Sequence, residues 1–284
     1  MASLGGIMVA LITPFTDDKT AIDESRLQAH IEHLITAGVH GLVPGGSTGE
    51  FTTMTFAERK QLTELCVKFA GGRVPVVAGT GSLSSAEAVE LSVHAAKSGA
   101  VATMVLHEFL SEIHTASGLP IVYYNIPSAS GITLSPTEIA GLSKVGVKYL
   151  KDTSGNAPAL TELIFSLSDQ ITSFNGWDTL TFYGLAAGAP GGVWGAANII
   201  PELAVELWEA VSVKGDLKLG REIWAKAFPI CKFLESHNYA AAVKTGVELI
   251  GQPTGGLRKP FALLNPKLTA ELKQLLENAG VKTV

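Results

Sequence analysis

The residue with the clearest chemical potential is Lys151, which follows a short apolar run over 147–150. A lysine at the end of a buried strand would lie at the mouth of a sheet or barrel, where desolvation penalises its charged form. The neutral amine favoured by desolvation is a nucleophile and can form a Schiff base with a carbonyl substrate. The alternative is a lysine whose long side chain simply extends to solvent.

A glycine-rich segment offers a second candidate site, because it follows another strand-like run. It reads Pro44-Gly45-Gly46-Ser47-Thr48-Gly49-Glu50. Glycines such as Gly46 let the backbone approach a ligand closely. The hydroxyls of Ser47 and Thr48, with nearby N–H groups, can hold a carboxylate or a phosphate. The alternative is an ordinary glycine-rich turn.

Two other predicted strand ends carry polar side chains. Tyr123 and Tyr124 are adjacent in one strand, so one faces the interior of the sheet and the other faces outward. An interior tyrosine could transfer a proton, or it could be a packed aromatic whose hydroxyl is satisfied. Asp178 follows Gly176-Trp177 and either contacts substrate or caps the next helix, which is the more common role.

Short apolar runs alternate with helical patterns along the chain, which is typical of βα units around a parallel sheet. The predicted strands cover 6–12, 41–44, 75–80, 100–106, 120–125, 147–151, 171–175 and 191–196. The predicted helices cover 24–37, 56–70, 85–97, 107–117, 136–143, 157–167, 178–187 and 201–212. Eight such pairs in order favour a (β/α)8 TIM barrel, whose active site lies at the C-terminal ends of the strands.

Three more helical patterns follow the eighth pair, near 216–236, 238–250 and 267–279. Their apolar faces predict a helical C-terminal extension that packs on the barrel or on another subunit. We therefore divide the chain into a barrel over 1–212 and an extension over 213–284.

Composition narrows the function classes. The 284 residues are 46% hydrophobic and 17% charged, with a formal net charge of −5, which argues against nucleic acid or an anionic membrane as partner. Cys66 and Cys231 are far apart and predict neither a disulfide framework nor a metal site. The apolar stretch over 7–12 is too short to span a bilayer and reads as a first strand. We expect a soluble, cytoplasmic protein.

One junction conflicts with the barrel pattern. Strand 100–106 would run directly into helix 107–117, although βα connections normally need about 2–6 residues. We therefore suspect that a loop is missing between Leu106 and His107; a true deletion is the alternative.

Three motifs occur in order at the ends of predicted strands 2, 5 and 6. They are Gly46-Ser47-Thr48-Gly49-Glu50, Tyr124-Asn125-Ile126-Pro127 and Lys151-Asp152. Together they resemble the dihydrodipicolinate synthase/N-acetylneuraminate lyase family, and the likeness extends over nearly the whole chain. The resemblance implies a class I, Schiff-base (β/α)8 enzyme that acts on pyruvate or another 2-oxo acid, usually as a homotetramer.

The resemblance also implies roles for individual residues. Lys151 matches the imine-forming lysine, and Tyr124 matches the tyrosine that relays protons. Ser47 and Thr48 match the hydroxyl pair near the 2-oxo acid carboxylate, with Thr48 also in the relay. Val193 matches an apolar contact to bound pyruvate. Because the imine serves as the electron sink, no metal or organic cofactor is expected.

Three positions depart from the family's recognition patterns. Synthases of lysine biosynthesis usually have an arginine after the Tyr-Asn-X-Pro-Ser motif, where this chain has Ala129. Sialic acid lyases usually have a glutamate after Gly-X-Asp and a serine on strand 8, where this chain has Thr179 and Gly195. The suspected missing loop is where the family often places a tyrosine that reaches the neighbouring subunit.

These departures set the order of our functional hypotheses. The first is a pyruvate-dependent lyase that cleaves or forms a 2-oxo-3-deoxy sugar acid or a related hydroxy-oxo acid. The alternatives are a dihydrodipicolinate synthase that condenses pyruvate with aspartate semialdehyde, a deoxy-keto sugar acid dehydratase, and a non-catalytic 2-oxo acid-binding protein. The expected partners are a 2-oxo acid, an aldehyde and further copies of the chain in a dimer or tetramer.

Overall fold

The computed structural model describes residues 3–106 and 109–284, which form a nearly closed barrel of parallel strands. The strands are β1 (Gly6–Ala10), β2 (Gly41–Val43), β3 (Val77–Gly79), β4 (Ala102–Val105), β5 (Ile121–Asn125), β6 (Val147–Asp152), β7 (Thr172–Asn175) and β8 (Gly191–Trp194). Their order around the sheet is β2-β1-β8-β7-β6-β5-β4-β3, and a parallel bridge between Leu42 and Val76 joins its two ends. The predicted TIM-barrel class is confirmed.

Helices follow the strands in the predicted alternation. They are α1 (Glu24–Thr36), α2 (Phe56–Ala70), α3 (Ser85–Ser98), α4 (Leu110–Ser117), α5 (Pro127–Ser130), α6 (Pro136–Gly141), α7 (Ala157–Phe165), α8 (Thr181–Ala186), α9 (Pro201–Trp208), α10 (Leu217–Glu235), α11 (Tyr239–Leu249) and α12 (Pro266–Asn278). Only the short α5 was not predicted. The suspected gap before His107 lies outside the described residues.

Side-chain caps explain several helix starts. Thr55 and Glu58 form a complete capping box at α2, and Ser135 and Glu138 form another at α6. At α3, Ser84 accepts from the Glu87 N–H, but the Glu87 carboxylate accepts from the Ser82 hydroxyl instead of the cap backbone. The sequence Ser84-x-x-Glu87 has the pattern of a capping box, but the box is only half formed.

The two adjacent tyrosines of β5 show how alternation divides the core. Tyr124 belongs to the apolar cluster inside the barrel, with Met8 and Phe174, whereas Tyr123 packs outside with helix residues such as Ile113. This confirms that the two rings face opposite sides of the strand. Tyr124 is therefore the tyrosine that can reach a site inside the barrel.

The C-terminal helices α10, α11 and α12 share one apolar cluster with β1 and the first helices. A buried ion pair reinforces this contact, with Lys244 Nζ on α11 2.6 Å from Glu50 Oε1 in the glycine-rich segment. Because the cluster is continuous, the division at residues 212 and 213 stays a prediction. Within the described ranges, no helix combines the length and apolar character needed to cross a membrane.

Candidate active site

Lys151 lies beside Tyr124 at the C-terminal end of the barrel. The two residues are direct partners across β5 and β6, and Lys151 Nζ lies 3.9 Å from the centroid of the Tyr124 ring. Each residue is only 5% exposed. The alternative in which Lys151 extends to solvent is therefore wrong, because its side chain is enclosed by the barrel.

The neighbouring backbone leaves room for this lysine. A Cβ atom at Gly176, which follows β7, would lie 2.7 Å from Lys151 Cγ and 3.0 Å from Cε, so glycine is needed for the lysine to pass. On the adjacent residue, Asp152 accepts from Asn125 Nδ2 at 2.8 Å and from the Ser154 backbone at 3.2 Å. Burial raises the pKa of the Asp152 carboxyl. These bonds fix the chain directly after the lysine.

Lys151 opens onto a cavity of about 240 Å³. The cavity is lined by Ala10, Ser47, Thr48, Tyr124, Ile126, Lys151, Thr153, Gly176, Trp177, Asp178, Val193, Gly195, Glu235 and Tyr239. The structure thus brings together every predicted site residue except Gly46, which lines a small adjoining space. A larger groove of about 930 Å³ shares Ser47 but contains neither Lys151 nor Tyr124. The smaller cavity is therefore the candidate active site.

Backbone geometry positions the two hydroxyls of the glycine-rich segment. Gly45 has φ +71°, and its backbone lies against Gly79 so closely that neither residue tolerates a side chain without rearrangement. Glu50 is also left-handed, at φ 61°, and its buried carboxylate pairs with Lys244. Within the described chain, neither the Ser47 nor the Thr48 hydroxyl bonds to another protein group, so both are available to a ligand.

Asp178 does not cap the helix that follows it, contrary to the more common role expected for it. Its Oδ2 accepts from the Tyr239 hydroxyl at 2.6 Å and from the Ala196 N–H at 3.3 Å. The short helix that starts at Asp178 has Trp177 at its N-cap and no side-chain cap. Burial raises the pKa of Asp178 to about 7, although the Tyr239 hydrogen bond opposes that shift. Asp178 therefore links the end of β7 to α11.

Glu235, at the end of α10, reaches the same region. Its Oε1 accepts from the Thr179 N–H at 2.9 Å and its Oε2 from the Thr179 hydroxyl at 2.7 Å. Trp177 Nε1 donates to the same hydroxyl at 3.0 Å. A Cβ at Gly195 would overlap the Tyr239 hydroxyl. Thr179 and Gly195 are the two positions that depart from the sialic acid lyase pattern, and Glu235 contacts the first while Tyr239 lies against the second.

We call Thr48, Tyr124 and Lys151 the lysine cluster, and Asp178, Glu235 and Tyr239 the acidic cluster. Sequence reasoning found the lysine cluster but missed Glu235 and Tyr239. The only sequence signal for these two residues was their position, since Glu235 and Tyr239 lie on either side of the junction between predicted helices 216–236 and 238–250. Among the described residues, no three His, Cys, Asp or Glu side chains are grouped as metal ligands.

Comparison with known proteins identifies the family. The model of the dihydrodipicolinate synthetase family matches residues 3–279. The chain belongs to this family. Members of the dihydrodipicolinate synthetase family are class I pyruvate-dependent lyases that act through a Schiff base, and this chain is an enzyme of that class. The resemblance noted from the three motifs is confirmed.

Individual relatives support the same assignment. The chain is 36% identical to the 4-hydroxy-tetrahydrodipicolinate synthase of Methanopyrus kandleri, over 97% of this chain and 96% of the relative. A putative dihydrodipicolinate synthetase from Pseudomonas aeruginosa superposes with a TM-score of 0.92 at 30% identity, covering 98% of this chain and all of the other. The prophage protein YagE from E. coli K12, solved in complex with pyruvate, has a TM-score of 0.93 at 27% identity, covering 99% of this chain and all of YagE.

Proposed function

We propose that Lys151 forms an imine with pyruvate and that the cavity joins or separates a carbon–carbon bond between pyruvate and an aldehyde. The observation that carries this proposal is the position of Lys151 Nζ, 3.9 Å from the Tyr124 ring centroid at the wall of the 240 Å³ cavity. A nucleophile beside a proton-transfer group is the arrangement that carbinolamine formation and dehydration require.

The residues around Lys151 suit the steps of such a reaction. The neutral amine attacks the ketone carbon, and the carbinolamine loses water to give a protonated imine. For bond formation, the imine loses a proton from the former methyl carbon, and the resulting enamine attacks the aldehyde carbon and restores the imine. For cleavage, the imine accepts the electron pair of the breaking carbon–carbon bond. Tyr124 donates and removes the protons, with Thr48 in the relay. The hydroxyls of Ser47 and Thr48 hold the carboxylate, and Val193 provides an apolar contact to the bound pyruvate.

For the second reactant, the relatives favour aspartate semialdehyde. Several curated proteins that align with at least 93% of this chain are named 4-hydroxy-tetrahydrodipicolinate synthase, at 32–36% identity. This condensation, which ranked second among the hypotheses from sequence, is therefore our first candidate for the reaction. The non-catalytic alternative is not retained, because the family is enzymatic.

Cleavage or formation of a 2-oxo-3-deoxy sugar acid is the second candidate, favoured by one observation. Ala129 stands where the synthases usually have an arginine, and it lies in α5 outside the cavity. Among the described lining residues, Lys151 is the only cationic side chain, whereas Asp178 and Glu235 are both acidic. Dehydration of a deoxy-keto sugar acid, the third candidate, uses the same imine.

The dimer or tetramer implied by the family stays a prediction.

Borohydride trapping tests the imine directly. Incubation with pyruvate and borohydride should add the mass of the reduced pyruvate adduct to the wild-type protein and not to Lys151→Ala, because only the lysine amine forms the reducible imine. Turnover in Lys151→Ala should be abolished. Intact mass spectrometry provides the measurement. An adduct absent from the wild type, or equally abundant in Lys151→Ala, would contradict the proposal.

Once the wild-type protein has been shown to form the borohydride adduct, a coupled assay on untreated protein separates the two candidate reactions. It compares condensation of pyruvate with aspartate semialdehyde against pyruvate release from 2-oxo-3-deoxygluconate. Faster condensation supports the synthase, and faster pyruvate release supports the sugar-acid aldolase.

A further inference from the structure

The acidic cluster has a composition that imine chemistry does not explain. Carbinolamine formation needs an amine, a proton relay and a place for the 2-oxo acid carboxylate, all of which the lysine cluster and Ser47 offer. Asp178 and Glu235 instead place two carboxyl groups in the wall of the same cavity. One of them comes from α10, which lies outside the strand–helix pairs of the barrel.

We propose that Glu235, together with Asp178, determines specificity for the second reactant by binding a hydrogen-bond donor on it, either an ammonium or a hydroxyl group. The same pair disfavours an aldehyde whose only polar substituent is a carboxylate. This inference rests on the proposed function, because the imine must first hold the 2-oxo acid beside Lys151.

The carboxyl groups of Asp178 and Glu235 both have hydrogen-bond acceptor positions that no described protein group occupies, and these support the binding of a donor. Asp178 is 4% exposed and lines the cavity. Its Oδ2 is bonded to Tyr239 and Ala196, whereas its Oδ1 has no protein partner among the described residues. Each oxygen of Glu235 accepts one hydrogen bond from Thr179, and a carboxylate oxygen can accept a second. A donor in the cavity would therefore meet acceptors that the protein leaves open.

The charges facing the cavity give the selectivity its sign. Lys151 is the single cationic lining residue in the described ranges, and its protonated imine places one positive charge beside the carboxylate of the bound 2-oxo acid. A second carboxylate near Glu235 would meet like charge, and Lys151 is the only cation among the described lining residues that could offset it. An ammonium or hydroxyl group gains charge-assisted hydrogen bonds at the same place.

The pair is also held rigidly, as a recognition site requires. Thr179 binds both oxygens of Glu235 and is itself bonded by Trp177 Nε1. Tyr239 binds Asp178, and Gly195 leaves the space that its hydroxyl occupies. The competing interpretation is that Glu235 only fastens α10 to the turn after β7. A purely structural contact would affect all aldehydes alike.

Two aldehydes that differ by a single amino group provide the test. Aspartate semialdehyde carries an ammonium and a carboxylate, and succinate semialdehyde carries the carboxylate alone. Glyceraldehyde represents a reactant with hydroxyl donors. The value of kcat/KM for each is measured at saturating pyruvate in the wild type, in Glu235→Gln and in the control Glu222→Gln, an exposed position on the same helix.

We expect the wild type to prefer a donor-bearing aldehyde, ammonium or hydroxyl, over succinate semialdehyde. Glu235→Gln should lower kcat/KM for that aldehyde roughly ten- to a hundredfold, the worth of a hydrogen bond to a charged group. Succinate semialdehyde should be used at least as well as before, and Glu222→Gln should match the wild type. Which donor-bearing aldehyde loses more identifies ammonium or hydroxyl as the natural group.

Several outcomes would overturn the inference. Equal losses for all three aldehydes in Glu235→Gln would assign the residue a structural role, and unchanged values would assign it none. If the variant does not fold, the wild type alone still decides, because equal use of aspartate and succinate semialdehydes contradicts donor selection. Borohydride trapping with pyruvate keeps the two proposals apart, since a missing adduct in the wild type refutes the imine on which both rest, whereas an adduct without donor selection refutes only the specificity.

Discussion

The lysine cluster and the acidic cluster line one cavity but are built in different ways. Thr48, Tyr124 and Lys151 come from the ends of barrel strands and the segment after one of them. In the acidic cluster, Asp178 follows β7, whereas Glu235 and Tyr239 come from α10 and α11. The comparison suggests that the barrel supplies the bond chemistry and that the C-terminal helices adapt it to a particular second reactant.

The forces that hold the two clusters differ as well. Tyr124 and Lys151 are paired by the backbone register of β5 and β6, so their relative position follows from the sheet. The acidic cluster depends on side-chain hydrogen bonds, such as Tyr239 to Asp178, and on how α10 and α11 pack. Substitutions in the lysine cluster should therefore affect turnover, and substitutions in the acidic cluster should affect selectivity or stability.

The largest expected effect tests the lysine cluster through Tyr124→Phe. Removal of the hydroxyl eliminates the proton relay, so kcat should fall by about 10²–10⁴-fold. Imine formation should also slow, whereas stability should change little because the ring remains packed inside the barrel. Rapid-mix borohydride trapping and steady-state rates provide the measurements. Near-normal turnover would remove Tyr124 from the relay and weaken the division between the clusters.

The second prediction concerns the stability cost of the acidic cluster. Burial raises the pKa of Asp178 to about 7 from its ordinary value of 3.8. The folded state therefore retains a proton that the unfolded chain loses between about pH 4 and pH 7, and stability contributed by this group falls as the pH rises through that window. At pH 8 this group lowers the free energy of unfolding by about 4 kcal/mol at most, relative to acid pH, where Asp178 is protonated in both states.

Asp178→Asn should remove that dependence while keeping a hydrogen-bond acceptor for Tyr239. Denaturant unfolding at pH 5 and pH 8 provides the measurement. The variant should gain more stability relative to the wild type at pH 8 than at pH 5, because pH 5 lies early in the window over which the stability falls. A difference between the two proteins that is the same at both pH values would show that Asp178 is ionised throughout, and that the acidic cluster carries no such cost.

Sequence patterns predicted the lysine cluster because its determinants are local. Alternation along β5 predicted that one of the two adjacent tyrosines faces inward, and the family resemblance singled out Tyr124, which does lie inside. The apolar run before Lys151 predicted a strand that ends at the lysine, and β6 continues one residue further, to Asp152. Capping residues such as Thr55 marked helix starts because they interact within one turn. Such features span only a few residues, so they can be recognised in the sequence before the fold is known.

The acidic cluster could not be predicted in the same way, because its contacts join distant parts of the chain. The hydrogen bonds from Thr179 to Glu235 and from Tyr239 to Asp178 depend on how α10 and α11 pack on the barrel. Local reasoning left Asp178 two roles, contact with substrate or a cap on the next helix, and favoured the cap, which was wrong. Ser84 illustrates the same limit on a smaller scale, since a nearby serine takes the Glu87 carboxylate.

The smallest expected effect comes from Gly195→Ala, which disturbs the acidic cluster without touching a charge. An added Cβ would overlap the Tyr239 hydroxyl and displace the donor that holds Asp178. We expect kcat/KM for the aldehyde to fall about tenfold, the loss of one modest interaction. The amount of pyruvate trapped by borohydride should stay unchanged, because Lys151 and Tyr124 are paired through the sheet.

Gly141→Ala is the matched control, since a Cβ at that helical position meets nothing within 4 Å. It should leave both the trapped adduct and the aldehyde kinetics as in the wild type. If Gly195→Ala lowers adduct formation as strongly as it lowers kcat/KM, the two clusters are structurally coupled. In that case the C-terminal helices contribute to the bond chemistry itself, because a disturbance that starts at Tyr239 must reach Lys151.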